Sequence, residues 1–291
     1  MAYHVKKSDK SLAGALRRIS REQIDRALAA IDRPGDNAGG IHEARARCKK
    51  LRGLIRLVRP GFPAFDTENA AFRDAGKALE ALRAGGAGHE TLDRLAASAP
   101  EGLDPQALAA IRTGFEAEAL PHLATDRAAD IATFRDTLTR ARARVDDWRL
   151  RGKGFGPARK GLKKNYKKGQ REFKSAKTQG TPEAFHEWRK AVKYHWYHAR
   201  LLRPIKPDRI DPQRALAKEL AEILGNHHDL HDMGAHLAQG NFPSDAVAAM
   251  QPPIAAEMAR LEAEALALGA RLFEDNPETL ARRWQRWWKN W

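Results

Sequence analysis

No run of this chain alternates apolar and polar residues in the manner of a strand. Ala, Leu, Arg and Glu dominate and β-branched residues are sparse, so the pattern predicts helices almost throughout. The elements read from it span 10–32, 40–59, 66–84, 89–98, 105–121, 126–150, 157–178, 182–203, 212–239, 245–273 and 277–290. Several starts are marked. Asp104-Pro105, Thr181-Pro182, Asp211-Pro212 and Asn276-Pro277 each set a capping side chain before a proline at the first helical position.

Two of these helices carry cations where a soluble helix carries its apolar stripe. His42, Arg45, Lys49, Arg52, Arg56 and Arg59 step by three and four, so they share one face. The same frame returns 144 residues later as His186, Arg189, Lys193, Trp196, Arg200 and Arg203. Glu43 and Glu187 lie off the stripe, so neither ladder has an acid of its own to relieve the repulsion. Stacked cations cannot be buried unpaired, and such a face suits a linear polyanion. Solvation of a plain charged face is the alternative.

Residues 42–60 and 186–204 align without gaps, with identities at His42/His186, Glu43/Glu187, Arg45/Arg189, Lys49/Lys193, Arg56/Arg200, Leu57/Leu201, Arg59/Arg203 and Pro60/Pro204. A basic helix precedes each ladder, holding Arg17, Arg18 and Arg21 in the first case and Lys163, Lys164, Lys167, Lys168 and Arg171 in the second. The unit is therefore duplicated, which predicts an all-α fold of two antiparallel helical bundles related by a pseudo-two-fold. Facing each other, the ladders would line one groove or pore. The expected organisation is a single domain over 1–291, its first repeat about 8–150 and its second about 156–291. The segment from Arg151 to Gly156 is the expected joint.

Charge follows the same division. Residues 1–60 hold fifteen Lys or Arg against six acids, and residues 149–209 hold nineteen against four. The net charge is +15, so the remainder is acidic and the basicity is focused on the ladder regions. The lone Cys48 allows no internal disulfide and points to a reducing compartment. The first residues lack the apolar run of a signal peptide, and no stretch nears the length of a membrane span, so a cytoplasmic location is expected. There is no Gly-rich loop before Lys-Ser or Lys-Thr, no Gly-x-Ser-x-Gly and no Cys beside an evident base, so no catalytic constellation is expected.

His42-x-x-Arg45-x-x-x-Lys49-Lys50-x-Arg52, its copy from His186, and Leu224-Gly225-Asn226-His227-His228-Asp229-Leu230-His231-Asp232 resemble the CHAD domain, the conserved histidine α-helical domain. Arg189, Lys190, Lys193 and Tyr197 fit a further pattern of that family. The resemblance covers nearly the whole chain. It implies two four-helix-bundle repeats around a basic central cavity that binds inorganic polyphosphate, in a protein associated with polyphosphate granules, with no cofactor. Two departures stand out. Trp196 replaces a cation common in the family, and Ala84 stands where an Asp is common.

The polyphosphate contacts expected on these grounds are Arg17, Arg18, Arg21, His42, Arg45, Lys49, Lys50, Arg52, Arg56, Lys163, Lys164, Lys167, Arg171, His186, Arg189, Lys190, Lys193, Arg200 and His228. Asp229 and Asp232 are expected to orient them, by pairing with Arg189 or Lys193. His42 and His186 are read either as protonated contacts or as neutral orienting groups. The cluster from His227 to Asp232 leaves a metal-dependent phosphohydrolase as an alternative, although the basic surroundings oppose a cation and no bound metal is expected. A nucleic-acid binder is a third reading, with weak nonspecific binding expected. The run from Arg282 to Trp291 suggests either bundle packing or an interfacial helix.

Overall fold

The computed structural model describes residues 3–33, 37–80, 87–98, 102–123 and 128–291. Every regular element among them is helical. The α-helices are α1 (Leu12–Ile31), α2 (Asn37–Val58), α3 (Phe65–Ala78), α4 (Ala87–Ser98), α5 (Pro105–Leu123), α6 (Ala128–Arg144), α7 (Gly156–Gln179), α8 (Pro182–Leu202), α9 (Pro207–Gln239), α10 (Ser244–Leu272) and α11 (Pro277–Lys289). Capping fixes several starts: Ser11 accepts from the Gly14 amide, Thr181 from Ala184, and Asn276 from Glu278 and Thr279.

Three boundaries differ from expectation for local reasons. α9 starts at Pro207 rather than Pro212, which lies inside the helix. A proline so near a helix start costs one hydrogen bond, and Asp211, freed from capping, pairs with Arg203 and Arg214. The helix expected to reach residue 150 stops at Arg144, where a 3-10 turn over Val145–Asp147 leads into Trp148, packed 5.0 Å from the Phe62 ring. α3 ends at Ala78, Leu79 and Glu80 form a turn, and the rest of the helix expected to residue 84, Ala84 included, lies outside the described residues.

α1, α2, α3 and α6 pack together, as do α7, α8, α9 and α10, with α11 against α7. α2 crosses both α7 and α8. Two glycines allow that approach. A Cβ at Gly53 would lie 2.9 Å from the Tyr197 ring, and one at Gly161 would strike the Leu57 carbonyl oxygen. His198 Nε2 meets the Gly53 carbonyl oxygen at 3.2 Å in the same interface. The joint at 151–156 docks on the 3-10 turn that ends the first ladder, the Arg151 amide donating to the Gly61 carbonyl at 2.7 Å. Gly152 and Gly154 turn it at φ values of 98° and 53°, a region that disfavours side chains. No helix among the described residues is long and apolar enough to cross a membrane.

Candidate polyanion-binding site

The α2 ladder forms one continuous cationic edge with neighbours on two sides. Toward α3, Arg45, Lys49 and Arg52 line a cavity of about 220 Å³ with Arg73 and Lys77. Toward α7, Arg56 and Arg59 line a larger cleft of about 540 Å³ with Lys164, Lys167, Lys168, Arg171 and Lys174. Arg56 marks the junction. Its guanidinium stacks 4.2 Å from the Tyr194 ring centroid of α8, and burial lowers its pKa. Glu80, just beyond α3, supplies the acid that the ladder face of α2 lacks, pairing with Arg45 at 2.7 Å.

The α8 ladder is sunk deeper. Burial, together with the neighbouring charges of Arg189 and Lys49, pushes the Lys193 ammonium down to about 8. A cation from each ladder is thus close enough to disfavour charge on the other. The His186 and His228 rings lie 4.0 Å apart between centroids. Burial first, and then nearby positive charge, pushes both down to about 4, so both are neutral at pH 7 in the free protein. The Nε atoms of Arg45 and Arg189, residues at the same register of the two ladders, are buried without an acceptor.

Asp229 and Asp232 sit near Arg189 and act on it through space, but their contacts lie elsewhere. Asp229 pairs with Arg94 of α4 at 2.9 Å, and Asp232 with His228 at 3.3 Å. The expectation of direct pairs with Arg189 or Lys193 is corrected, because α4 packs on α9 and brings Arg94 to the carboxylate first. The possible metal cluster diverges as successive helical residues must. His227 turns inward to Glu262 at 2.8 Å, His228 faces His186, and Asp229 faces Arg94. Among the described residues no group of three His, Cys, Asp or Glu is placed to hold a metal ion.

Several other expected contacts are used elsewhere. Arg17 donates to the Trp148 carbonyl, Arg18 is clamped by Asp9 and Glu22, and Arg21 pairs with Asp146. These three tie α1 to the N-terminal segment and to the turn after α6, and they line neither cleft. Lys163 does not line the α2 cleft and pairs with Glu278 of α11 at 2.6 Å. Lys190 is exposed and pairs with Glu187. Lys50 and Arg200 form a separate basic spot near Tyr3, where burial and the surrounding cations push Lys50 down to about 8. Trp196 fills the gap in the second ladder by packing 4.9 Å from Tyr197, with the Arg200 guanidinium 6.0 Å from its own centroid. His42 is exposed at the head of α2. Trp284 is fully buried and Trp288 packs 5.2 Å from Phe155, so the C-terminal tryptophans anchor α11 to the bundle.

The sequence reading missed Arg73, Lys77 and Arg94, which face the ladders from α3 and α4. Nothing in the sequence marked them as rungs: Arg73 and Lys77 are the only two Lys or Arg of α3, and Arg94 is the only one of α4. It also missed two buried histidines. His195 lies among Tyr166, Phe273 and Trp284 with neither ring nitrogen partnered, and His198 lies beneath Gly53. Burial pushes them down to about 4 and about 3.

PptA from Streptomyces chartreusis aligns over 94% of this chain and 98% of its own, at a TM-score of 0.49 and 14% identity. No curated protein sequence matches. The family model described as the CHAD domain matches residues 14–238, well over half of the sequence. This chain belongs to the CHAD domain family.

Proposed function

We propose that this protein binds inorganic polyphosphate along the α2 and α8 ladders and does not turn it over. The observation that carries the reading is the pair Arg45 and Arg189, two half-buried guanidiniums at the same register, each with an Nε lacking an acceptor. Desolvated, under-bonded cations are costly without a ligand, and a phosphate oxygen would relieve them. Planar guanidiniums donate bidentately to phosphate oxygens, while the ammoniums of Lys49 and Lys193 act as point charges. A condensed phosphate chain offers anionic oxygens at every unit, so affinity rises as successive rungs engage.

The ladder contacts suit a pseudo-two-fold arrangement around a shared basic cavity. Gly53 meets Tyr197, its own equivalent, and the Arg56–Tyr194 contact has its counterpart in the Arg200–Lys50 neighbourhood. The repeats would run over about 8–150 and 156–291. Divergence of His227, His228 and Asp229 supports binding over hydrolysis. Residence at polyphosphate granules follows from such binding, and weak contact with nucleic acid follows from the charge.

Arg45→Glu and Arg189→Glu, made singly and together, test the reading by titration with long-chain polyphosphate. Each single reversal is expected to cost about 10-fold and the pair about 100-fold or more, as for lost charged hydrogen bonds. Arg140→Glu, on exposed α6 surface, is the control and should leave binding unchanged. Wild-type affinity in the double variant would sink the ladder reading.

A further inference from the structure

A second basic cleft lies between α7 and α11, and all of its lining residues except Arg159 fall beyond the family-matched residues. Arg282, Arg286 and Lys289 of α11 and Arg159 of α7 surround about 580 Å³ of open space, with Thr279 and Gln285 adding a hydroxyl and an amide. Among the described residues Glu278 is the acid that meets this group, and its carboxylate is shared by Arg159, Lys163 and Arg282. Lys163 and Arg282 hold the Glu278 carboxyl well below the usual range. Arg286 and Lys289 have no acidic partner among the described residues. The cations of α11 extend over roughly 10 Å of helix.

The cleft is rigidly mounted. Gln170 donates to the Phe273 and Asp275 carbonyls, and Tyr166 to that of Leu272, pinning the turn before α11 onto α7. Trp284 is buried, and Trp288 packs on Phe155. The exposed cations therefore sit on a fixed helix face.

α7 connects this cleft to the ladder. Arg159, Lys163, Lys167, Arg171 and Lys174 step by four and three along one face. Arg159 lines the α11 cleft, whereas Lys167, Arg171 and Lys174 line the cleft shared with Arg56 and Arg59. Lys163 lies between them, and its pairing with Glu278 places it at the junction. The row covers about 22 Å of helix.

We propose that α11 extends the polyphosphate track, so that a long chain leaving the α2–α7 cleft runs along α7 onto Arg282, Arg286 and Lys289. This rests on the polyphosphate reading and adds to it a chain-length preference. A short oligophosphate fills the ladder site alone, whereas a long chain engages both.

The test compares wild type with Arg282→Ala/Arg286→Ala/Lys289→Ala, a change confined to exposed side chains of α11. Binding of tripolyphosphate and of long-chain polyphosphate is titrated across a range of salt. The triple variant is expected to hold tripolyphosphate within about 2-fold of wild type. It should lose about 10-fold for the long chain, with the slope of log affinity against log salt reduced by about 2, as for three lost phosphate contacts. Unchanged long-chain affinity and slope would overturn the extended track. Equal losses for short and long chains would also overturn it, by placing α11 within the ladder site. An equal loss for DNA of matched charge would overturn the choice of ligand. The underlying polyphosphate reading fails separately, if wild type binds neither phosphate ligand.

Discussion

The α2 and α8 ladders begin from nearly the same sequence and end in different environments. On α2, His42 and Lys49 are exposed, and the counter-acid Glu80 is itself largely open to solvent. On α8, Arg189 and Lys193 are half-buried, His186 is packed against His228, and α9 lays Asp229 and Asp232 alongside. The inner faces differ as well: where α2 has Leu51 and Leu54, α8 has the buried His195 and His198. Five of the six rungs are identical between the two ladders, while the packed neighbours set how each rung behaves.

The largest consequence concerns acid stability. His195 and His198 are held neutral by burial, with pKa values of about 4 and about 3. An unfolded chain takes up these protons below about pH 6.5 and the native one does not, so stability falls as pH drops from there toward 4. Each should cost about 2 kcal/mol between pH 7 and pH 5. His195→Leu, which copies the α2 residue, should remove its share, read from urea midpoints at the two pH values. A midpoint equally pH-dependent in wild type and variant would break the contrast between the inner faces.

Lys193 sharpens the contrast between the rungs. Its ammonium is pushed down to about 8 in the free protein, and a bound polyanion would raise it again. Binding then takes up a proton, and affinity should fall as pH rises from 7 to 9, by roughly 5-fold from this site. Lys193→Arg should flatten the profile, because guanidinium does not titrate there. Lys50, also pushed down to about 8, sits in the separate spot beside Arg200, and Lys50→Arg shows whether it adds to the profile. An identical profile in wild type and Lys193→Arg would mean that the α8 rung meets no ligand.

The smallest effect belongs to the acid beside α2. Glu80 occupies Arg45 from an exposed position, so Glu80→Gln should raise polyphosphate affinity by only about 2-fold, in line with a surface ion pair. Weaker binding in that variant would show Glu80 to be a positioning residue rather than a competitor.

Much of this was legible in the sequence. Thr181-Pro182 and Asn276-Pro277 fixed helix starts because a capping side chain and a proline act locally. The rungs were visible because one helix sets their period. Asp211-Pro212 misled because the equally competent Pro207 lies one turn earlier. Arg17, Arg18 and Arg21 misled because their partners, the Trp148 carbonyl, Asp9 and Asp146, reach them only through the tertiary fold. Arg94 was hidden for the same reason, since it meets the second ladder's acid from a helix 135 residues away in sequence. His195 and His198 could be placed on the inner face of α8, but their depressed pKa values depend on what packs over them.

The most direct test of the central claim is titration of purified protein with long-chain polyphosphate at about 150 mM salt, near the ionic strength where exposed charges are largely screened, with DNA of equal charge as competitor and free phosphate assayed in the same tube. The account predicts tight binding that survives the DNA, with no phosphate released. Equal displacement by DNA would contradict a polyphosphate site, and phosphate release would contradict a protein that only binds.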